Sequence, residues 1–355
     1  MVKRRLYGRM AGFLLLIGLL VLAGVAAGCS SGGGQQGSEV VELKLAHFFP
    51  SVHPVETELL QPWAKAIEEA TGGRVRITTY PGETLAKATD IYAGVVDGIA
   101  DIGLSCFSYT RGRFPVLEAF ELPGIIYKNS KVASQVAWEG IQELNPQEVQ
   151  DTKLFMVFAT GSGDLFTKKP VRNLDDLQGM LIRATGLSAK TLQALGAVPE
   201  AMAQSEAYEA LAKGVVHGNM GPMEILQGWK IAEVTDYITK TPFLYNTLFF
   251  ITMNLDKWNS LPQDVQEAIL KVNEEYFNNV AVGLWDWQNE QAFEYAVGEM
   301  GMEVIELSAE ETERWIKQVE GIQNEYLANT REQGLPGDKA LELVKTLAAK
   351  YNQEF

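Results

Sequence analysis

The chain has 355 residues, with 30 lysines and arginines against 45 aspartates and glutamates and a formal net charge of −15. So acidic a surface argues against a nucleic-acid partner. Three histidines, two cysteines and the absence of a Gly-x-Ser-x-Gly elbow, a His-Glu-x-x-His helix or a paired-cysteine motif leave no catalytic set, no metal site and no cofactor to expect.

The first 28 residues have the order of an export signal. Lys3, Arg4, Arg5 and Arg9 precede an apolar run over residues 10–27, which ends in Val25-Ala26-Ala27-Gly28-Cys29. Small residues ahead of that cysteine fit a lipoprotein signal that is cleaved before Cys29, leaving Cys29 to carry membrane lipid. The alternative is an uncleaved anchor helix, since the run approaches the ~20 residues that span a bilayer. Either reading puts the remaining chain outside the cytoplasm and tied to a membrane. Residues 29–39 are dominated by Gly, Ser and Gln, a flexible tether. With Cys29 lipidated, Cys106 is alone and no internal disulfide is available.

Beyond the tether, more than 300 residues exceed one ordinary core and suit two lobes. Hydrophobic period predicts a strand over 41–46, an amphipathic helix over 54–71, a strand over 74–80, a helix over 85–96 and a strand over 99–104. That is a βαβ opening. Apolar strands at 153–159 and 248–254 are candidates to cross between lobes as hinges. Residues 262–300 are helical, with Trp285, Trp287, Phe293 and Tyr295 at packing intervals, and helical signals continue from 308 to the end. The expected organisation is an α/β, two-lobe fold: lobe I over 40–158 with a return segment near 248–280, lobe II over 159–247, and C-terminal helices over 281–355 packing on both.

Open α/β sheets bind ligands beyond the carboxyl ends of their strands. Two such loops are aromatic here: 47–54, with His47, Phe48, Phe49 and His53, and 105–109, with Cys106, Phe107 and Tyr109. They either wall a cleft or tuck into the core. His47, His53 and Glu56 do not have a recognised metal spacing, and Cys106 reads as a small wall residue.

In the second half, the predicted strand 180–184 is interrupted by Arg183, a charge that such a strand rarely carries without a partner. Thr185-Gly186 turns the chain, Ser188 is placed to cap a helix over 187–195, and free N–H groups at that helix start face Arg183. A ligand carboxylate suits this arrangement; an internal Asp or Glu is the other possible partner.

The segment around Arg183 resembles the substrate-binding subunits of TRAP transporters, the DctP-like extracytoplasmic solute receptors. The matching residues are Gly179 with Arg183, Leu195-Gly196-Ala197-Val198-Pro199, Ser205-Glu206-Ala207-Tyr208-Glu209-Ala210-Leu211, Gly214-Val215-Val216-His217-Gly218 and Pro222. Tyr80-Pro81-Gly82, Gly94-Val95-Val96-Asp97-Gly98, Ala100-Asp101-Ile102-Gly103 and Trp258-Asn259-Ser260-Leu261-Pro262 extend the likeness over about residues 43–280. The resemblance implies a periplasmic-binding-protein-like fold without catalysis, a small-molecule organic acid held on Arg183, and delivery to small and large integral membrane subunits driven by an ion gradient. It also has departures. A second arginine of the sialic-acid and C4-dicarboxylate branches falls at Gly163, an asparagine at Gly221, and the usual Asp of the Val-Asp-Gly turn is His217, with Met220 and Met223 nearby. Fewer polar groups imply a monocarboxylate with a bulky, partly apolar or aromatic body. Phe48, His53, Phe107, Tyr109, Met220, Met223 and Trp229 are the expected wall. A receptor feeding a membrane sensor and a lipoprotein enzyme acting on an organic acid are the competing functions.

Overall fold

The computed structural model describes residues 40–355; the signal, Cys29 and the tether through residue 39 lie outside the described residues. Eleven strands form within that range: β1 (Val41–His47), β2 (Val75–Tyr80), β3 (Ile102–Cys106), β4 (Thr152–Ala159), β5 (Asp164–Thr167), β6 (Leu181–Ala184), β7 (Val198–Ala201), β8 (Gly218–Gly221), β9 (Tyr237–Lys240), β10 (Leu248–Asn254) and β11 (Glu303–Glu306). They build two sheets, of order β2-β1-β3-β10-β4 and β11-β9-β5-β8-β6-β7. In β1, Leu43 and Leu45 are buried while Glu42 and Lys44 are exposed, the period-two pattern that makes it a strand. The first sheet pairs β2, β1 and β3 in parallel and adds β10 antiparallel to both β3 and β4.

Among the described residues, eleven α-helices cover the sheets: α1 (Gln61–Ala70), α2 (Ile91–Val96), α3 (Ser130–Leu144), α4 (Gly186–Ala194), α5 (Gln204–Ala212), α6 (Ile225–Gly228), α7 (Leu255–Asn259), α8 (Gln263–Asn279), α9 (Leu284–Glu294), α10 (Ala309–Glu332) and α11 (Gly337–Glu354). α1 packs on β2 and α8, and α3 on β4 and α11. The 24-residue α10 is roughly 36 Å long at 1.5 Å per residue. It touches α4, beside the second sheet, and α11, beside the first. The two-lobed α/β architecture with long C-terminal helices is therefore present.

Four local expectations are corrected. Residues 84–90 turn instead of starting the helix, because the Glu83 carboxylate accepts the Ala88 N–H at 2.7 Å and the Ser105 hydroxyl donates to the Ala88 carbonyl at 2.8 Å. Those are the backbone groups a helix would use. Ile99 and Ala100 belong to the turn that follows α2, both N–H groups returning to the Gly94 carbonyl, so the strand begins only at Ile102. Trp287 and Phe293 lie on an exposed face of α9, whereas Trp285 is fully buried against Phe249 at a ring separation of 4.8 Å. And the helical C-terminal region contains β11, which extends the second sheet beside β9.

β4 and β10, the candidates to cross between the lobes, both lie wholly in the first sheet. Two passages between the sheets are the segments just beyond them, residues 160–163 and 241–247, and a third runs from β10 to β11. The first two are tied together, the Thr160 N–H donating to the Thr247 carbonyl at 3.1 Å and the Thr247 N–H to Thr160 Oγ1 at 3.3 Å. Gly161 has φ +72° and would bring a Cβ within 2.9 Å of the Ser130 nitrogen, so this passage requires glycine.

Candidate functional site

Arg183 sits in β6 directly across from Asn219 of β8 and is 4% exposed. Its Nε donates to the Met202 carbonyl at 3.0 Å, its Nη2 to the Tyr109 hydroxyl at 3.2 Å, and its Nη1 lies 3.5 Å from Asn219 Oδ1. All these partners are neutral oxygens, so among the described residues the internal acid is not there. The Tyr109 hydroxyl also accepts the Gln204 N–H at 2.9 Å. Tyr109 follows β3 of the first lobe, and both its partners belong to the second, so one phenol bridges the lobes. Burial pushes that phenol well above its ordinary pKa. Gln204 accepts the Asn219 amide at 3.1 Å, and its own Nε2 is a buried donor without a partner.

The α4 start differs in detail from expectation. Thr185 is its N-cap, and Ser188 lies a turn further in, its hydroxyl accepting the Thr185 N–H at 3.1 Å. Thr185 and Arg183 still line one cavity together, with Gln204.

Opposite this polar end the cavity is aromatic. Phe48 lies 6.0 Å from Trp229 and 5.4 Å from Tyr109 between ring centroids, with Phe249 and Tyr245 completing the wall. Cys106 lines it too, its thiol pushed well above the usual value chiefly by burial, which leaves no thiolate for nucleophilic work near neutral pH. The enclosed volume is about 30 Å³, room for one or two waters. Anything larger enters only if the walls of this cavity part.

The sequence-predicted residues divide. Arg183, Phe48, Tyr109 and Trp229 meet at this cavity. His53 stands behind its wall, 4.6 Å from the Phe49 ring, with Nε2 3.1 Å from Glu224 Oε2. Phe107 turns away into the first lobe, 4.8 Å from Phe114, and borders a separate cleft of about 230 Å³ with Leu187 and Lys190. Met220 and Met223 do not line this cavity. Strand alternation points Met220 to the face opposite Asn219, and Met223 is buried in the second lobe's own core. His217 is exposed at a turn. His47 pairs with Glu56 at 2.9 Å, and no cluster of three metal-binding side chains exists among the described residues.

Gln204, Tyr245 and Glu224 line the cavity and Asn219 contacts Arg183 and Gln204, and the sequence reading misses all of them. Asn219 has a usable signal, since a strand ending in Gly-Asn-Met-Gly beside β6 puts its one amide next to the arginine. Gly163, where the second arginine of other branches aligns, explains Tyr245. A Cβ there would lie 2.5 Å from the Tyr245 ring and 2.6 Å from the Gly221 carbonyl. Gly163→Ala is accordingly expected to destabilise the protein by about 1–3 kcal/mol through overpacking, read by denaturant unfolding. An unchanged midpoint would mean that ring and carbonyl give way freely.

Residues 45–329 match the family described as bacterial extracellular solute-binding protein, family 7, DctP. Three solved structures resemble the chain. A TRAP periplasmic solute-binding protein from Desulfovibrio salexigens, an open complex with the C-terminus of a symmetry mate in its ligand-binding site, is 32% identical with a TM-score of 0.76, covering 88% of this chain and 96% of that one. A marine metagenome TRAP solute-binding protein specific for aromatic acid ligands, in complex with metahydroxyphenylacetate, is 29% identical with a TM-score of 0.82, covering 88% and 99%. A TRAP solute-binding protein from Rhodoferax ferrireducens with copurified benzoate is 26% identical with a TM-score of 0.80, covering 89% and 99%.

Proposed function

The chain belongs to the bacterial extracellular solute-binding proteins of family 7, the DctP family of TRAP receptors, and from that premise we propose that it captures an aromatic or similarly bulky monocarboxylic acid. As a member of that family it is an extracytoplasmic binding protein and not an enzyme. The observation that carries the ligand class is Arg183, a buried cation whose hydrogen bonds all go to neutral oxygens at one end of an aromatic-walled cavity. A buried charge is costly until it is paired, and the ligand's carboxylate supplies the pair, with Gln204 Nε2 as a second donor. Arg183 is the single cation lining the cavity among the described residues, so a second carboxylate finds no counterpart. Phe48 and Trp229 suit a flat apolar body between them. The ligands of the metagenome and Rhodoferax proteins, metahydroxyphenylacetate and benzoate, support the same class.

Closure follows from differential contact. Tyr109 from the first lobe meets Arg183 and Gln204 from the second only when the lobes are together, and a ligand touching both sides favours that state. The closed receptor then hands its acid to the small and large integral membrane subunits, held near them by lipid on Cys29. Thermal unfolding with a panel of acids tests the reading. An aromatic monocarboxylate at ~100 times its dissociation constant is expected to add about 2.7 kcal/mol, while succinate gives no shift. A shift with succinate and none with aromatic acids would overturn it.

A further inference from the structure

Among the aromatic side chains of the cavity wall stands a carboxylate, Glu224, only 4% exposed. Its Oε2 lies 3.1 Å from His53 Nε2. His53 Nδ1 accepts the Val55 N–H at 3.1 Å, and a ring nitrogen that accepts carries no proton. The tautomer that accepts at Nδ1 carries a proton on Nε2 and donates it to Glu224. Gly228 makes room for this pairing, since a Cβ there would fall 2.8 Å from Glu224 Oε2 and 2.9 Å from His53 Nε2. The Glu224 backbone N–H is held separately by Asn289 Oδ1 at 2.9 Å. Its Oε1 accepts nothing within the described residues. One donor is a small share of what a buried carboxylate accepts, and the unused oxygen belongs to a residue that lines the cavity.

We propose that Glu224, oriented by His53, is the second recognition point of the site and accepts a hydrogen bond from a hydroxyl or amino group on the ligand's ring. The substrate class narrows accordingly, from aromatic monocarboxylates to those bearing a hydrogen-bond donor. This rests on the reading that Arg183 takes the ligand's carboxylate. The same residue also selects against dicarboxylates, whose second acid group would face Glu224 across a small enclosed cavity.

Calorimetric titration of the purified protein with benzoate and its 3- and 4-hydroxy and 3- and 4-amino derivatives tests this. At least one substituted acid is expected to bind about tenfold tighter than benzoate, the size of one buried hydrogen bond gained. In Glu224→Met that ratio falls to about twofold or less, and in Glu224→Gln, which keeps a neutral acceptor, it is intermediate. The wild-type ratios need no variant to fold, and equal or weaker binding of every substituted acid overturns the proposal. So does a preference that survives Glu224→Met. If benzoate binds and Arg183→Met abolishes it while ring substituents make no difference, only the role of Glu224 falls. If no acid binds, or Arg183→Met is without effect, the carboxylate reading falls with it.

Discussion

Arg183→Met is expected to weaken binding of an aromatic acid by at least about thirtyfold, because truncating one partner of a buried, hydrogen-bonded charge pair costs about 2–5 kcal/mol. The ligand-free protein should respond in the opposite direction. Without ligand, the guanidinium is a buried cation satisfied only by the Met202 carbonyl, the Tyr109 hydroxyl and a long contact to Asn219. Methionine fills similar space with no charge to desolvate. Unfolding midpoints are therefore expected to stay level or rise while affinity collapses. A parallel loss of stability and affinity would assign Arg183 a structural role, and retained affinity would place the carboxylate elsewhere.

Stability of the wild type is expected to fall as pH rises from about 5 to 8, and Glu121→Gln is expected to remove most of that slope. Burial pushes the Glu121 carboxyl from its ordinary 4.5 up to about 8, against the lowering effect of the Leu248 N–H and with a smaller push from Glu118. In this window the folded protein keeps a proton that the unfolded chain releases, so stability falls by about 1.4 kcal/mol for each rise of one in pH. Above pH 8 both states are ionised and the penalty is constant. Glutamine retains an oxygen for the Leu248 N–H, which Glu121 Oε1 now accepts at 2.7 Å, and has no proton to lose. The variant should match the wild type near pH 5 and exceed it by a few kcal/mol at pH 8. A difference that does not change with pH would refute this assignment.

Much of this arrangement can be read along the chain, and the parts that cannot share a cause. Arg183 is conspicuous because a charge inside a short apolar strand violates local pattern, and the Gly-rich motifs around it carry the family. The paired sheets follow from alternation in segments such as β1. Phe48 and Phe107, by contrast, have the same local signature of an aromatic just past a parallel strand. One joins the cavity and the other the core, because the helical turn after β3 carries Tyr109, not Phe107, toward Arg183. Glu224 and His53 are 171 residues apart, and nothing near either of them in sequence signals the other. The two methionines at 220 and 223, on and just after β8, suggest a less polar site than the fold builds. Pairing of β8 with β6 sets Asn219 beside Arg183, and Gln204 joins them from the start of α5. Residues 84–90 fail as a helix for a similar reason, since the side chains that capture Ala88 come from Glu83 and from β3.

The most direct test is a crystal structure of the protein with an aromatic monocarboxylate that raises its melting temperature. The account predicts the carboxylate oxygens at about 2.7–2.9 Å from the Arg183 guanidinium, the spacing of charge-assisted bonds, with the ring between Phe48 and Trp229. An acid seated instead in the cleft beside Phe107 and Lys190, with Arg183 still bonded to the Met202 carbonyl and Tyr109 alone, would contradict it.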